Sequence, residues 1–178
     1  MPRMTAAEYV LLPETNYPID LIDGEIVGHI SPTVSHQRVV LNPLLALQKR
    51  ISSGRLVLSP MDVHVDVYNI IQPDLMWISG QESLCKVGAD GWLHGAPDLV
   101  CEVIAPYTIN RDKLTRFSLY EKHGAREYWL LDPVNQWIEI FIRQEDHLCL
   151  IGVYYNTTFL SPILQVTFST QTFFDRSK

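Results

Sequence analysis

The chain has no glycine-rich phosphate loop, no G-x-S-x-G elbow and no H-E-x-x-H pair. A P-loop nucleotide hydrolase, an α/β-fold serine hydrolase and a zincin peptidase therefore lack their local signatures. Cysteine is scarce: Cys85, Cys101 and Cys149 are odd in number and show no C-x-x-C spacing, which points to reduced thiols and away from a zinc site or a disulfide framework. Positive charge is short as well. Fourteen Lys and Arg stand against 20 Asp and Glu, a formal charge of −6, so the basic footprint of a protein that grips nucleic acid by bulk charge is missing. A nuclease with local cations around an acidic site stays possible. No apolar run approaches the ~20 residues that span a bilayer, and no apolar h-region opens the chain. The expectation is a soluble cytoplasmic protein with no membrane partner.

What is present is apolar residue in quantity, 47% of 178 residues, enough for a substantial core. With no repeat, linker or low-complexity segment, residues 1–178 read as a single domain. The organising stretch is residues 97–133. A buried-looking strand over residues 98–104 carries Glu102 among Leu99, Val100, Cys101, Val103 and Ile104. A carboxylate there is costly to bury unless it is paired or holds a metal. A turn at Ala105 and Pro106, a basic amphipathic helix over residues 109–123 and a break at Gly124 follow. A second apolar strand over 127–131 stops at Asp132 and Pro133.

Upstream, Thr5 can cap a short helix and Asp23-Gly24 marks a hairpin between residues 19–22 and 25–30. A helix over 34–52 should be kinked or split by Pro43. Residues 55–59 and 62–68 read as strands, the second with Val63, Val65 and Val67 on one face. Residues 70–78 read as a strand with Pro73 embedded, which demotes it to an edge, a start or a bulge. Residues 80–92 read as a polar excursion with a short helix. Residues 136–143, 147–155 and 163–166 read as a terminal meander that widens the sheet. Its apolar content, Trp137, Ile138, Ile140, Phe141, Ile142, Val153, Tyr154 and Tyr155, predicts a twofold homodimer.

Asp74 and Glu102 are the first candidates for chemistry. If their strands are neighbours, both carboxylates reach one cation, and a hard ion such as Mg²⁺ suits two oxygen ligands. Alternatively, Asp74 stabilises a turn and Glu102 pairs with an arginine. Asp98 lies about 13 Å from Glu102 along an extended chain, too far to share an ion, and reads as a strand-opening residue. On the following helix, Asp112, Arg116 and Tyr120 share a face while Leu114 and Phe117 can face the core. Arg116 or Lys113 can stabilise charge on a phosphate, or Asp112 and Arg116 form a surface ion pair. Glu25 and His36 are candidate supporting residues, His36 near a helix N-terminus where it can orient water or phosphate.

The segments YPIDLIDGEIV, SPTVSHQRVV, QPDL, DGWLHGAPDLVCEVIAP and RFSLYEKHGAREYWLLDP, in that order, resemble the Uma-type putative restriction endonucleases of the PD-(D/E)XK nuclease superfamily. The resemblance implies an α/β (α+β) restriction-endonuclease-like core, a mixed β-sheet flanked by helices. It also implies a divalent metal, Mg²⁺ or Mn²⁺, and DNA as the substrate of phosphodiester hydrolysis. Asp74 would be the first acid and Glu102 the second. Two residues depart from the pattern: Ile104 stands where the superfamily has its lysine, and Arg116 stands where the family has a lysine on the helix. Arginine keeps the charge but does not give up a proton. The expected function is a metal-dependent endonuclease. The alternative is a weak or inactive nuclease-like fold that binds nucleic acid or protein.

Overall fold

The computed structural model describes residues 3–13, 15–104 and 111–175, and of residues 111–113 the backbone alone. The sequence-predicted turn at 105–106, the start of the helix at 109 and the side chains of Asp112 and Lys113 lie outside that description. Two six-stranded sheets and a two-stranded ladder make up the strands, with helices packed on them.

Helix α1 (Ala6–Tyr9) is closed by a capping box between Thr5 and Glu8. Strands β1 (Ile19–Ile22) and β2 (Glu25–Gly28) form the expected hairpin. Asp23 and Gly24 both take positive φ, +51° and +79°, as a primed two-residue turn requires. Helix α2 (Val34–Arg50) starts at the Thr33 cap and runs unbroken through Pro43, so of the kink or split expected from the sequence the split does not occur. Burial on both sides of Pro43 explains this. Val39, Val40 and Leu47 lie in the core beside Phe173 and Phe174 of α4 (Thr170–Phe174), and Asn42 donates to the Phe173 and Asp175 carbonyls at 3.1 and 3.0 Å.

Strands β3 (Arg55–Leu58) and β4 (Val63–Asp66) follow. Val67 falls beyond β4 and is exposed, because Asp66 ends the strand by accepting the Tyr68 N–H at 2.8 Å. The segment 70–78 is not one strand. It divides at Pro73 into β5 (Asn69–Ile71) and β6 (Leu75–Ile78), which belong to different sheets. Proline cannot supply the ladder N–H that a continuous strand needs there. Residues 80–92 contain no helix. They lead through β7 (Lys86–Val87) to its antiparallel partner β8 (Leu93–His94).

The remaining strands are β9 (Leu99–Val103), β10 (Glu127–Asp132), β11 (Trp137–Gln144) and β12 (His147–Tyr155), with α3 (Arg111–Lys122) between β9 and β10. The first sheet runs β2-β1-β5-β4-β8-β7 and the second β12-β11-β10-β9-β6-β3. β9 and β10 are parallel and the other neighbours in the second sheet are antiparallel, so that sheet is mixed. Strands β13 (Thr158–Ser161) and β14 (Val166–Ser169) pair only with each other, so the last part of the expected meander does not widen the sheet.

Alternation on β9 sorts its side chains. Leu99, Cys101 and Val103 pack with Leu75, Trp129, Ile138, Ile140, α2 and α4. Val100 packs on the other face with Met76, Tyr128, α3 and residues of the first sheet. Glu102 shares the Val100 face, so it points into the space between the second sheet, α3 and the first sheet. Among the described residues no helix is long and apolar enough to cross a membrane.

Candidate active site

β6 and β9 are antiparallel neighbours, with Leu75 opposite Cys101 and Met76 opposite Val100. One further rung of that register places Asp74 opposite Glu102 on the same face. Asp74 is held there by its backbone and side chain together. Its carbonyl accepts the Ser59 N–H at 3.2 Å, and its Oδ2 accepts the Val103 N–H at 2.8 Å. Oδ1 lies 3.1 Å from His36 Nε2, brought in by the first turn of α2.

Glu102 is 7% exposed. Its Oε1 accepts the Tyr120 hydroxyl at 2.6 Å and its Oε2 lies 3.4 Å from Arg116 Nη1. Arg116 and Tyr120 share the face of α3 that the sequence pattern grouped. That face is buried against the carboxylates, so Arg116 is not a surface residue. Leu114 is the exposed one, and Phe117 packs on Tyr128 and Phe141.

A third carboxylate completes the cluster. Asp20, fully buried on β1, accepts the Gln72 N–H through Oδ1 at 3.1 Å. Its Oδ2 lies 2.9 Å from His29 Nε2 and 3.3 Å from Arg116 Nε, ion-pair separations whose angles fall outside hydrogen bonding. Arg116 Nη2 donates to the Gln72 carbonyl. One guanidinium thus meets the first sheet at Asp20, the second sheet at Glu102 and the link between them at Gln72.

The electrostatics follow from this packing. Burial and the charge of Asp74 push the Glu102 carboxyl up to about 7 against the pull of Arg116 and Tyr120. Burial would also raise Asp74, but the hydrogen bond and charge of His36 and the Val103 N–H hold it below the usual carboxylate range. Burial alone would lower His36; the hydrogen bond and charge of Asp74 raise it instead. Arg116 stays charged, because Glu102 and Asp20 outweigh its desolvation. Tyr120 is held protonated by burial and by Glu102.

A cavity of about 450 Å³ contains Asp74, Glu102, Arg116, His36, His29 and Gln72 in its wall. The structure thus brings together Asp74, Glu102, Arg116 and His36 of the sequence candidates. Glu25 is exposed beyond the β1–β2 turn and is not among the described residues of this wall. Asp98 lies away from it, accepting the Ser79 N–H at 2.8 Å. Sequence reasoning missed Asp20, His29 and Gln72. Asp20 carried a usable signal, an acid inside the apolar run Ile19 to Ile22, the same signal that singled out Glu102. His29 and Gln72 carried none.

The profile of a family described as "Uma2: Putative restriction endonuclease" matches residues 6–172. The chain belongs to the Uma2 family. A comparison with curated proteins returns no match. Among solved structures, the Uma2 chain is similar to a putative nuclease of the DUF820 group from Anabaena variabilis ATCC 29413. The TM-score is 0.71 and the identity 22%, over 96% of this chain and 97% of that one. That likeness shows the fold, a mixed sheet flanked by helices. In this Uma2 chain the α3 cation beside Glu102 is an arginine, and position 104 carries isoleucine.

Among the described residues no group of three or more His, Cys, Asp or Glu side chains is arranged to hold a metal ion. The donor set still fits a hard divalent cation. Two carboxylates face one cavity from adjacent strands, and Mg²⁺ is commonly held by one or two carboxylates with waters and substrate phosphate completing its shell.

Proposed function

We propose that the protein is a metal-dependent endonuclease that hydrolyses phosphodiester bonds of DNA. The observation that carries this reading is the facing pair, Asp74 opposite Glu102 across β6 and β9, in a cavity that also receives Arg116. Asp74 and Glu102 would hold the cation, Mg²⁺ or Mn²⁺. When bound, that ion supplies Lewis acidity toward phosphate oxygen and a more acidic water.

The protein's own residues do the positioning. His36 and the Val103 N–H fix the Asp74 carboxylate, and Tyr120 fixes Glu102. Asp20 and the Gln72 carbonyl aim the Arg116 guanidinium toward Glu102, where its charge offsets negative charge gathering on a phosphate in the transition state. The first turn of α2 brings the His36 imidazole to the same place, where it orients a water or the phosphate. Lys113, one turn before Arg116 on α3, is a second cation in this proposal. Glu25, exposed on β2, has no role in this proposal. A homodimer built on the β12 edge completes the reading.

Cleavage of DNA by purified protein with Mg²⁺ or Mn²⁺ tests it, with an Asp74→Ala/Glu102→Ala double mutant as the control. Activity equal to that control refutes the enzyme. One observation favours a second reading, a binding module without catalysis: Arg116 already spends its guanidinium on Glu102, Asp20 and Gln72. Partner binding with no Mg²⁺ or Mn²⁺ uptake by calorimetry at millimolar concentration selects that reading.

A further inference from the structure

Four large apolar side chains stand open around the acid pair. Ile30 is 70% exposed, Leu41 49%, Leu58 36% and Val134 66%. They come from four separate segments, yet all line the cavity that contains Asp74 and Glu102. Leu130 and Ile104 extend the same wall inward. A lone exposed leucine is ordinary; four converging on one site mark a surface that takes an apolar partner. The cavity volume, about 450 Å³, lies in the range of small-molecule sites.

Among its described residues the same cavity offers little of what holds a duplex. Arg116 is the one Lys or Arg among its described lining residues, its charge is shared by Glu102 and Asp20, and the chain carries −6. Duplex affinity comes mainly from Lys and Arg on phosphates. Contact with the face of a base needs no such charge, because every base has an apolar π-face. A base edge also needs polar partners, and the exposed side chains of Ser31, Gln37 and Ser59 supply donors and acceptors on the same wall.

We infer that the apolar collar of Ile30, Leu41, Leu58 and Val134 receives an unstacked nucleobase next to the phosphodiester at Asp74 and Glu102. The substrate is then a single strand, or a strand with an unpaired base, in preference to an intact duplex. This rests on the nuclease reading for the phosphodiester, but not for the binding of the base.

Binding is measured first in EDTA, where metal-assisted cleavage is off, with deoxyoligonucleotides. Four arms are compared: a single strand, a fully abasic strand of the same length, a full duplex, and a duplex with one unpaired base. The single strand and the unpaired-base duplex should bind on the order of tenfold tighter than the full duplex and the abasic strand. In Ile30→Gln/Leu41→Gln the intact-to-abasic ratio should fall toward one, and Leu41→Met should restore it. Both altered positions are exposed, and circular dichroism checks the fold; Val134→Gln gives an independent repeat. Equal binding of full duplex and single strand, equal binding of intact and abasic strands, or a ratio untouched by the collar variants overturns the inference. Cleavage is then measured in Mg²⁺. Base-dependent binding with no cleavage in any arm upholds the collar and removes the enzyme. Equal cleavage and equal binding in all arms keep the enzyme and remove the collar.

Discussion

Raising the pH from 4.5 to 8 should remove the stability that protonated Glu102 gives the folded protein. Its carboxyl titrates at about 7 in the fold against 4.5 ordinarily, because burial and the Asp74 charge oppose its ionisation. Between those values the folded chain keeps a proton that the unfolded chain has released. The native state then binds more protons, so stability falls as pH rises and the loss is complete above about 7. The gap from 4.5 to about 7 corresponds to on the order of 3 kcal/mol. Asp74 has the opposite sign and a different window. Its depressed pKa contributes stability above about 3.8 that is lost as pH falls further. His36, raised by Asp74, contributes stability present below 6.5 and lost above it, which overlaps the upper part of the Glu102 window. Glu102→Gln separates them. Any fixed cost of placing an amide beside Arg116 and Tyr120 is the same at every pH. Urea unfolding of both proteins from pH 4.5 to 8 should show the stability of the variant minus that of the wild type rising by on the order of 3 kcal/mol. Millimolar Mg²⁺ should shrink that rise, since a cation favours ionised Glu102. A difference that stays flat with pH refutes the account of the site's electrostatics.

Arg116→Lys should keep metal-dependent cleavage within a few-fold, whereas Arg116→Ala should raise the barrier by on the order of 2–4 kcal/mol; wild-type kcat/KM in the alanine variant removes Arg116 from the mechanism. Asp20→Asn keeps an acceptor for the Gln72 N–H but removes a charge from buried Arg116, so it should lower stability by about 1–3 kcal/mol, read as a lower urea midpoint. Light scattering should give a dimer mass at micromolar concentration, and Val153→Lys on the β12 edge should halve it; a monomer mass for the wild type ends the assembly proposal.

The acids were legible because each interrupts an apolar run, and burial makes that expensive without a partner. That they face one another needed the register of β6 on β9, which no single strand encodes. The segment 70–78 read as one strand because its apolar residues run on across Pro73. Only the fold sends Ile70 to one sheet and Leu75 to the other. The helix cations read two ways, as charge for a phosphate or as a solvated ion pair, because charge on a helix usually faces water. What buries Arg116 is Asp20, nearly a hundred residues earlier in the chain. Pro43 does not split α2 for the mirror-image reason: tertiary packing against α4 outweighs a local helix breaker. The apolar residues of β11 were over-counted as free surface. Ile138 and Ile140 lie in the core, which leaves Leu150, Ile151, Val153 and Tyr155 of β12 as the exposed share.

Arg116 reaches Asp20 in one sheet and Glu102 in the other, with the Gln72 carbonyl between them. The two sheets also share an apolar cluster, in which Val63, Val65 and Ile71 of the first meet Met76, Val100 and Tyr128 of the second. The guanidinium is thus a polar tie laid across a seam that apolar packing already closes. Without it, amide protons of β1 and β2 should lose more protection than those of β9 and β10, while the shared cluster keeps unfolding in one transition.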